Sequence, residues 1–288
     1  MRIPSNKVRD IVRFAHLELD SVYTNQEVGV MIHALLEEFC GLSKIKVLTE
    51  PDLTVSESEL LKIHFAIKDL KRHKPLQYIL GKTDFFDLNI LLSHNVLIPR
   101  PETEELVSHI IEENKGKKDL RIADLGCGSG CIAIALAKHL KSSKVFAFDI
   151  SDEALKQTEI NAQHNEVAIE IIKADMGKEL PLNEQFDIIV SNPPYVRESE
   201  KIQMRANVID YEPHLALFVT DENPLIFYQN IASIASKSLK NNGKIYLEIN
   251  ESLSVETELI FKNLNYETEV IEDLFGKCRM VFARKKSS

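Results

Sequence analysis

From Arg121 onward the chain alternates short apolar runs with amphipathic ones, and this rhythm restricts the fold more than anything else in the sequence. Runs at 121–125, 145–149, 169–173, 186–190, 244–249, 267–271 and 280–284 have strand length and strand-compatible residues. Between several of them, residues 130–140, 152–165, 224–239 and 255–264 carry apolar side chains at helical spacing. Such alternation predicts an α/β domain, a mainly parallel seven-stranded sheet with helices on both faces. Sheets of this kind bind ligands beyond the carboxyl ends of their strands, close to where strand order reverses. The residues just after each apolar run are therefore the ones to inspect for chemistry.

The fourth run, ending Ile188-Ile189-Val190-Ser191, stops at Asn192-Pro193-Pro194-Tyr195. Each proline lacks an N–H and fixes φ, so the backbone leaves the sheet stiffly and its carbonyls face outward with the Asn192 amide. The amide oxygen of Asn192 and the backbone carbonyls from Asn192 to Pro194 could accept the two hydrogens of an incoming NH2 group. Tyr195 adds a flat ring for stacking. A plain strand-ending turn uses the same residue types, so the corner gains its meaning from what lies upstream.

Upstream, Asp124-Leu125-Gly126-Cys127-Gly128-Ser129-Gly130 follows the first run and opens a helix. Its glycines allow a tight turn and close approach of a ligand to the main chain. A dinucleotide fingerprint would need glycine at position 131, where Cys131 stands, so the loop suits a ligand without a pyrophosphate, its amino-acid end against residues 126–130. Asp149 closes the second run, where a carboxylate can accept two ribose hydroxyls or cap the next helix. Asp175 closes the third, where it can accept from an adenine amino group with Met176 packing on the ring, or simply make a turn. Asp124 either meets an ammonium or holds the loop.

Residues 1–80 read as helices, with Val8, Ile11, Val12, Ala15 and Leu19 in one stripe, Met31, Ile32, Leu35, Leu36 and Phe39 in another, and Leu60, Leu61, Ile63, Phe65, Ile67 and Leu70 in a third. Ser56 followed by Glu59 makes a capping box for that third helix. Residues 81–96 read as a β-hairpin linker with Asp87-Leu88-Asn89 near its turn, and residues 97–288 as the catalytic domain. Pro101 with Glu102, Glu104 and Glu105 suits a helix start, and a role at the edge of the cofactor is open to it. Residues 196–223 are too long for a simple connection and suit a wall beside the site.

Net charge is −9 and residues 1–80 are balanced, so the acidic excess lies downstream and disfavours stable binding to nucleic-acid backbones. Cys40, Cys127, Cys131 and Cys278 form no Cys-x-x-Cys pair and no ligand spacing with histidines, so no metal is expected and the thiols suit a reducing cytoplasm. No apolar run approaches the roughly 18–20 residues of a membrane span, and none resembles a signal peptide.

Together, Asp124 to Gly130, Asp149, Asp175 and Asn192-Pro193-Pro194-Tyr195 resemble the class I (Rossmann-like) S-adenosylmethionine-dependent methyltransferases that act on amide or amino nitrogens. Further stretches narrow the resemblance: Pro75-Leu76-Gln77-Tyr78-Ile79-Leu80-Gly81, Leu97-Ile98-Pro99-Arg100-Pro101-Glu102-Thr103-Glu104, Tyr211-Glu212-Pro213, and Asp273 with Gly276 and Arg279. These are similar to the PrmC (HemK) family of peptide-chain release factor glutamine methyltransferases, in which Thr often stands at the place of Cys127 and an aromatic at the place of Met176.

The resemblance implies methyl transfer to N5 of the glutamine in a Gly-Gly-Gln tripeptide, with residues 1–80 helping to dock the release factor. It implies S-adenosyl-L-methionine held by Gly126, Cys127, Gly128, Ser129, Gly130, Asp149, Asp175, Met176 and Asn192. Catalysis falls to Asn192, Pro193 and Tyr195, and substrate binding to Asn192, Pro193, Pro194 and Tyr195. A cytoplasmic monomer is expected. A ribosomal-protein glutamine, an exocyclic amine of DNA or RNA, or adenosyl-ligand binding without catalysis remain the rival readings.

Overall fold

A computed structural model describes residues 3–181 and 183–286 of the protein. It divides into two compact units, one running up to Gly81 and including Arg205–Tyr211, the other comprising the remainder.

In the first unit, α1 (Val8–Leu19), α2 (Asn25–Cys40), α3 (Lys44–Thr49), α4 (Glu57–Lys71) and α5 (Leu76–Leu80) enclose an apolar core. Val8, Ile11, Ala15 and Leu19 of α1 meet Val28, Ile32, Leu35 and Leu36 of α2 and Ile63, Ala66, Ile67 and Leu70 of α4. Capping boxes at Thr24/Glu27 and Ser56/Glu59 satisfy the first N–H groups of α2 and α4. On α4 the buried stripe is narrower than the sequence pattern suggested: Leu61 and Phe65 are each 55% exposed. They lie about half a turn away from Ile63 and Ile67, and a single stripe cannot bury both sets.

The second unit begins with the hairpin β1 (Lys82–Phe85) and β2 (Leu88–Leu91), antiparallel with Phe85 opposite Leu88. Its turn is Phe86-Asp87, one to two residues earlier than the expected Asp87-Leu88-Asn89, and both residues take positive φ, as a two-residue hairpin turn of right-handed twist requires. Then follow α6 (Pro101–Asn114), β3 (Arg121–Leu125), α7 (Cys131–His139), β4 (Lys144–Asp149), α8 (Asp152–His164), β5 (Glu170–Lys173) and β6 (Phe186–Ser191). The two-residue strands β7 (Val196–Arg197) and β8 (Phe218–Val219) pair with each other on either side of α9 (Ala206–Ile209), which belongs to the first unit. The last elements are α10 (Ile226–Ser238), β9 (Leu239–Glu248), α11 (Ser254–Asn263), β10 (Tyr266–Glu272) and β11 (Cys278–Lys285).

The seven expected strands form one sheet in the order β10-β11-β9-β6-β3-β4-β5, parallel except for β11, which runs against both neighbours. Its central strands are buried on both faces, and Phe146, Phe148, Phe186, Tyr228, Leu247 and Phe261 are the large members of a continuous core. Burial of this kind contributes about 25 cal/mol per Å² of apolar surface. Strand order reverses between β3 and β6, the place where such sheets open a crevice. In register, Asp124 stands opposite Val190, so the glycine loop after β3 and the proline corner after β6 leave the sheet side by side. Ser191 Oγ donates to the Leu125 carbonyl at 2.5 Å and ties the two exits together.

Candidate active site

The loop after β3 turns on three left-handed glycines, Gly126 (φ 79), Gly128 (φ 56) and Gly130 (φ 81). A side chain at Gly130 would bring its Cβ to 2.8 Å from Thr158 Cγ2, whereas one at Gly128 would meet nothing within 4 Å. The loop thus packs tightly against α8 at Gly130 and stays open at Gly128, where a ligand can approach the main chain. Ser129 is buried and Cys127 is buried with its thiol 3.4 Å from Thr158 Oγ1. Burial pushes the Cys127 thiol well above its ordinary value and the Cys131 thiol up to about 12, so both stay protonated.

Sequence reasoning missed what holds this loop. On α8, the buried Gln157, Thr158 and Asn161 present a polar face inward. Thr158 Oγ1 donates to the Gly128 carbonyl at 3.1 Å and Asn161 Nδ2 donates to the Ser129 carbonyl at 2.9 Å. Asn161 Oδ1 accepts from the Leu91 N–H, and Gln157 Nε2 donates to the Leu91 carbonyl. The hairpin and the glycine loop therefore hang from one helix face. The only signal was the run of polar residues at helical spacing, which reads equally well as a solvated face.

Asp124 uses one oxygen and leaves the other bare. Its Oδ2 accepts from the Ala133 N–H at 3.1 Å, holding the first turn of α7, while Oδ1 is buried without a hydrogen-bond partner. Burial, with the Asp149 charge nearby, pushes its carboxyl up to about 8. A buried acid with one orphaned oxygen is the environment an ammonium group would complete. Asp149 lies half-buried, its two oxygens accepting from the Gly128 and Ser151 N–H groups at 2.9 Å each, and each oxygen keeps a lone pair for a hydroxyl. Helix α8 is capped by Ser151 rather than by Asp149.

Asp175 accepts from the Gly177 N–H at 2.8 Å and pairs with Lys178, which together hold its carboxyl below its ordinary value. Beside it, Met176 brings its Cε to 3.4 Å from where a Gly126 Cβ would stand. The glycine loop, Asp149 and Met176 are thus neighbours beyond the ends of β3, β4 and β5, and the orphaned Asp124 oxygen, the open Gly128 and the free Asp149 lone pairs fit S-adenosylmethionine.

Across the crevice, Asn192 is anchored through its side-chain nitrogen: Nδ2 donates to Thr103 Oγ1 at 3.1 Å. Thr103, buried near the start of α6, donates in turn to Glu248 Oε2 at 2.6 Å. The other Glu248 oxygen accepts from the Tyr195 hydroxyl at 2.9 Å. The β6–β9 register, Ser191 opposite Leu247, brings Asn192 alongside Glu248. Among the described residues, no donor reaches Asn192 Oδ1 or the Pro193 carbonyl. Burial raises the Glu248 carboxyl and, beside that carboxylate, holds the Tyr195 phenol well above its ordinary value, so the phenol remains a donor. Thr103 lies within the motif at 97–104, but Glu248 had only one signal, an acid at the end of an apolar strand run.

The other resemblance-bearing stretches support the same edge. Buried Glu212 accepts from Arg100 at 2.5 Å and from the Ile98 N–H at 3.2 Å, so the segment after the corner is tied back to the start of α6. Asn250 donates to the Tyr195 carbonyl and to Glu200. Asp273 Oδ1 accepts from the N–H groups of Phe275 and Lys277, and Leu274 N–H donates to Glu105.

Comparison with known proteins bears on the same architecture. The "Methyltransferase small domain" matches residues 101–212 and the "PrmC N-terminal domain" residues 11–81. A crystal structure of a methyltransferase from Pyrococcus furiosus, 17% identical, superposes with a TM-score of 0.52 over 81% of this chain and 100% of its own, which establishes the fold. The "Release factor glutamine methyltransferase" of Flavobacterium psychrophilum is 46% identical over 91% of this chain and 94% of its own length. The protein of the same name from Bacteroides thetaiotaomicron is 38% identical over 96% of this chain and 99% of its own. Likeness of that extent, covering the helical unit as well as the glycine loop and the proline corner, places this chain in the release factor glutamine methyltransferase family.

Proposed function

We propose that the protein transfers a methyl group from S-adenosylmethionine to the side-chain amide nitrogen (N5) of the glutamine in the Gly-Gly-Gln motif of peptide-chain release factors. The observation that carries this reading is the Asn192 amide, tethered through Nδ2 with no donor on its Oδ1, one residue before the Pro193 carbonyl. Two acceptor oxygens on a stiff elbow match the two hydrogens of a carboxamide NH2. The relatives named above are called release factor glutamine methyltransferases, which agrees with a glutamine of a release factor as acceptor.

S-adenosylmethionine supplies an activated methyl on a sulfonium, so no strong base is needed. Asp124 Oδ1 would meet its ammonium and Asp149 its ribose hydroxyls, with Asp175 and Met176 at the adenine and the backbone of Gly126, Cys127, Gly128, Ser129 and Gly130 along its amino-acid end. An amide nitrogen is a poor nucleophile because its lone pair is delocalised. Binding its hydrogens to Asn192 Oδ1 and the Pro193 carbonyl favours a pyramidal nitrogen whose lone pair points at the methyl. The Pro194 backbone and the Tyr195 ring confine the amide plane, and the proton leaves to solvent after the transfer.

The helical unit docks the factor, and the enzyme works as a monomer in the cytoplasm, where release factors are found, without stable binding to nucleic acid. Among the described residues no helix is long and apolar enough to cross a membrane.

The test uses methyl-labelled S-adenosylmethionine with purified release factor, ribosomal proteins or nucleic acid as acceptors. Label should enter the factor alone, disappear with a Gln→Ala factor, and drop about a hundredfold or more with Asn192→Ala. Label entering nucleic acid or a ribosomal protein instead would reverse the substrate assignment, and an Asn192→Ala enzyme of undiminished rate would remove that residue from the chemistry.

A further inference from the structure

A free asparagine side chain has two nearly isosteric orientations, and only one of them presents oxygen to a substrate NH2. Something must choose between them, and the choice matters because the wrong one sets two NH2 groups against each other.

We propose that Glu248 and Thr103 are positioning residues that fix the orientation of the Asn192 amide and so select a carboxamide as the acceptor. Both Glu248 oxygens receive hydroxyl donors, Thr103 at 2.6 Å and Tyr195 at 2.9 Å. With Glu248 ionised and the only Thr103 proton directed at it, Thr103 Oγ1 can offer Asn192 nothing but lone pairs. The group facing it at 3.1 Å must then be Nδ2, which leaves Oδ1 for the substrate.

For the ionised carboxylate the relay of donors has one consistent direction: Asn192 to Thr103 to Glu248. The same carboxylate fixes the Tyr195 hydroxyl, so one buried side chain sets both the acceptor oxygen and the ring beside it. Glu248 and Thr103 are 1% and 2% exposed, out of reach of the substrate, so they can act only through Asn192 and Tyr195. Burying a carboxylate is costly unless its oxygens are satisfied, and here they are satisfied by the two groups whose orientation the reaction needs.

This inference rests on the glutamine-methylating reading. Thr103→Val keeps the shape and removes the hydroxyl, while Thr103→Ser keeps the hydroxyl and gives up a methyl. With intact enzyme and saturating S-adenosylmethionine, kcat on the release factor should fall about tenfold or more in Thr103→Val and stay within about threefold of the parent in Thr103→Ser. Affinity for S-adenosylmethionine, read by calorimetry, should be unchanged in both. Glu248→Gln must donate to one of the two hydroxyls and should lose kcat likewise. Its combination with Thr103→Val should be no worse than the poorer single variant, because both break one relay.

Should Glu248→Gln fail to fold, the two Thr103 variants decide alone. A Thr103→Val enzyme with parental kcat overturns the relay, as does a Thr103→Ser enzyme that falls equally far, since packing would then be the cause. A parent that methylates no glutamine would instead bring down the function, and the relay with it.

Discussion

At the scale of single residues, the site is built from polar groups whose second valence is left open. Asp124 holds α7 with one oxygen and leaves the other bare, and Asn192 gives its nitrogen to Thr103 and keeps its carbonyl. The bare Asp124 oxygen has a measurable consequence. Its carboxyl, at about 8 in the folded protein, stands above the ordinary value of about 3.9. From about pH 4 to about pH 8 the unfolded state has released a proton that the folded one retains, so stability falls as pH rises through that window. Asp124→Asn cannot ionise and still accepts from the Ala133 N–H. Without ligand it should melt above the parent by a margin that grows from acid toward about pH 8. Its affinity for S-adenosylmethionine should fall about tenfold or more, because the ammonium loses its counter-charge. Parallel melting curves for the two proteins between about pH 5 and about pH 9 would mean that the acid titrates normally and has no ammonium to await.

At the scale of elements, the same loop separates packing from ligand access. Gly130→Ala would drive its Cβ into Thr158 at a left-handed φ, and both strain and clash oppose it. Gly128→Ala carries the left-handed penalty alone, about 1 kcal/mol. The first variant should lose several degrees of Tm more than the second. Gly128→Ala should fold and yet bind S-adenosylmethionine more weakly, since its methyl stands in the open approach to the main chain. Equal losses in Tm would show that Thr158 yields and that the packing argument fails.

These glycines also mark how far the sequence could be read. Strand and helix periods exposed the sheet because parallel central strands are buried on both faces and read as continuous apolar runs, as 121–125 and 186–190 do. The proline corner and the glycine loop were visible because they need special backbone, and only a few residue types supply it. The supports were hidden. Asn161 and Gln157 look like any exposed helix residues until Leu91 arrives from about 70 positions away to use them. Glu248 and Thr103 meet across 145 positions, a pairing that no local period encodes. Leu61 and Phe65 erred in the other direction, because an apolar residue is counted toward a core before the helix shows which side it faces.

At the scale of the whole molecule, there are two separately closed cores, and the candidate site residues all belong to the larger unit. The helical unit also holds Arg205–Tyr211, where the Tyr211 hydroxyl donates to the Arg72 carbonyl at 2.8 Å and Arg205 pairs with Glu27. A unit without catalytic groups that still exposes large apolar side chains has a reason to do so when its substrate is itself a folded protein. On α4, Leu61 and Phe65 lie one turn apart on the face away from the core, with Lys68 over the Phe65 ring at 5.9 Å. Replacing both with serine removes little buried surface, so Tm should hold within about a degree or two. If this face helps to dock the release factor, the double variant should raise KM for the intact factor about tenfold while leaving kcat in place. Its turnover on a short Gly-Gly-Gln peptide, which cannot reach a second contact, should match the parent. A KM for the intact factor that stays put, or one that moves equally for peptide and factor, would take docking away from this face and leave recognition to the glutamine pocket alone.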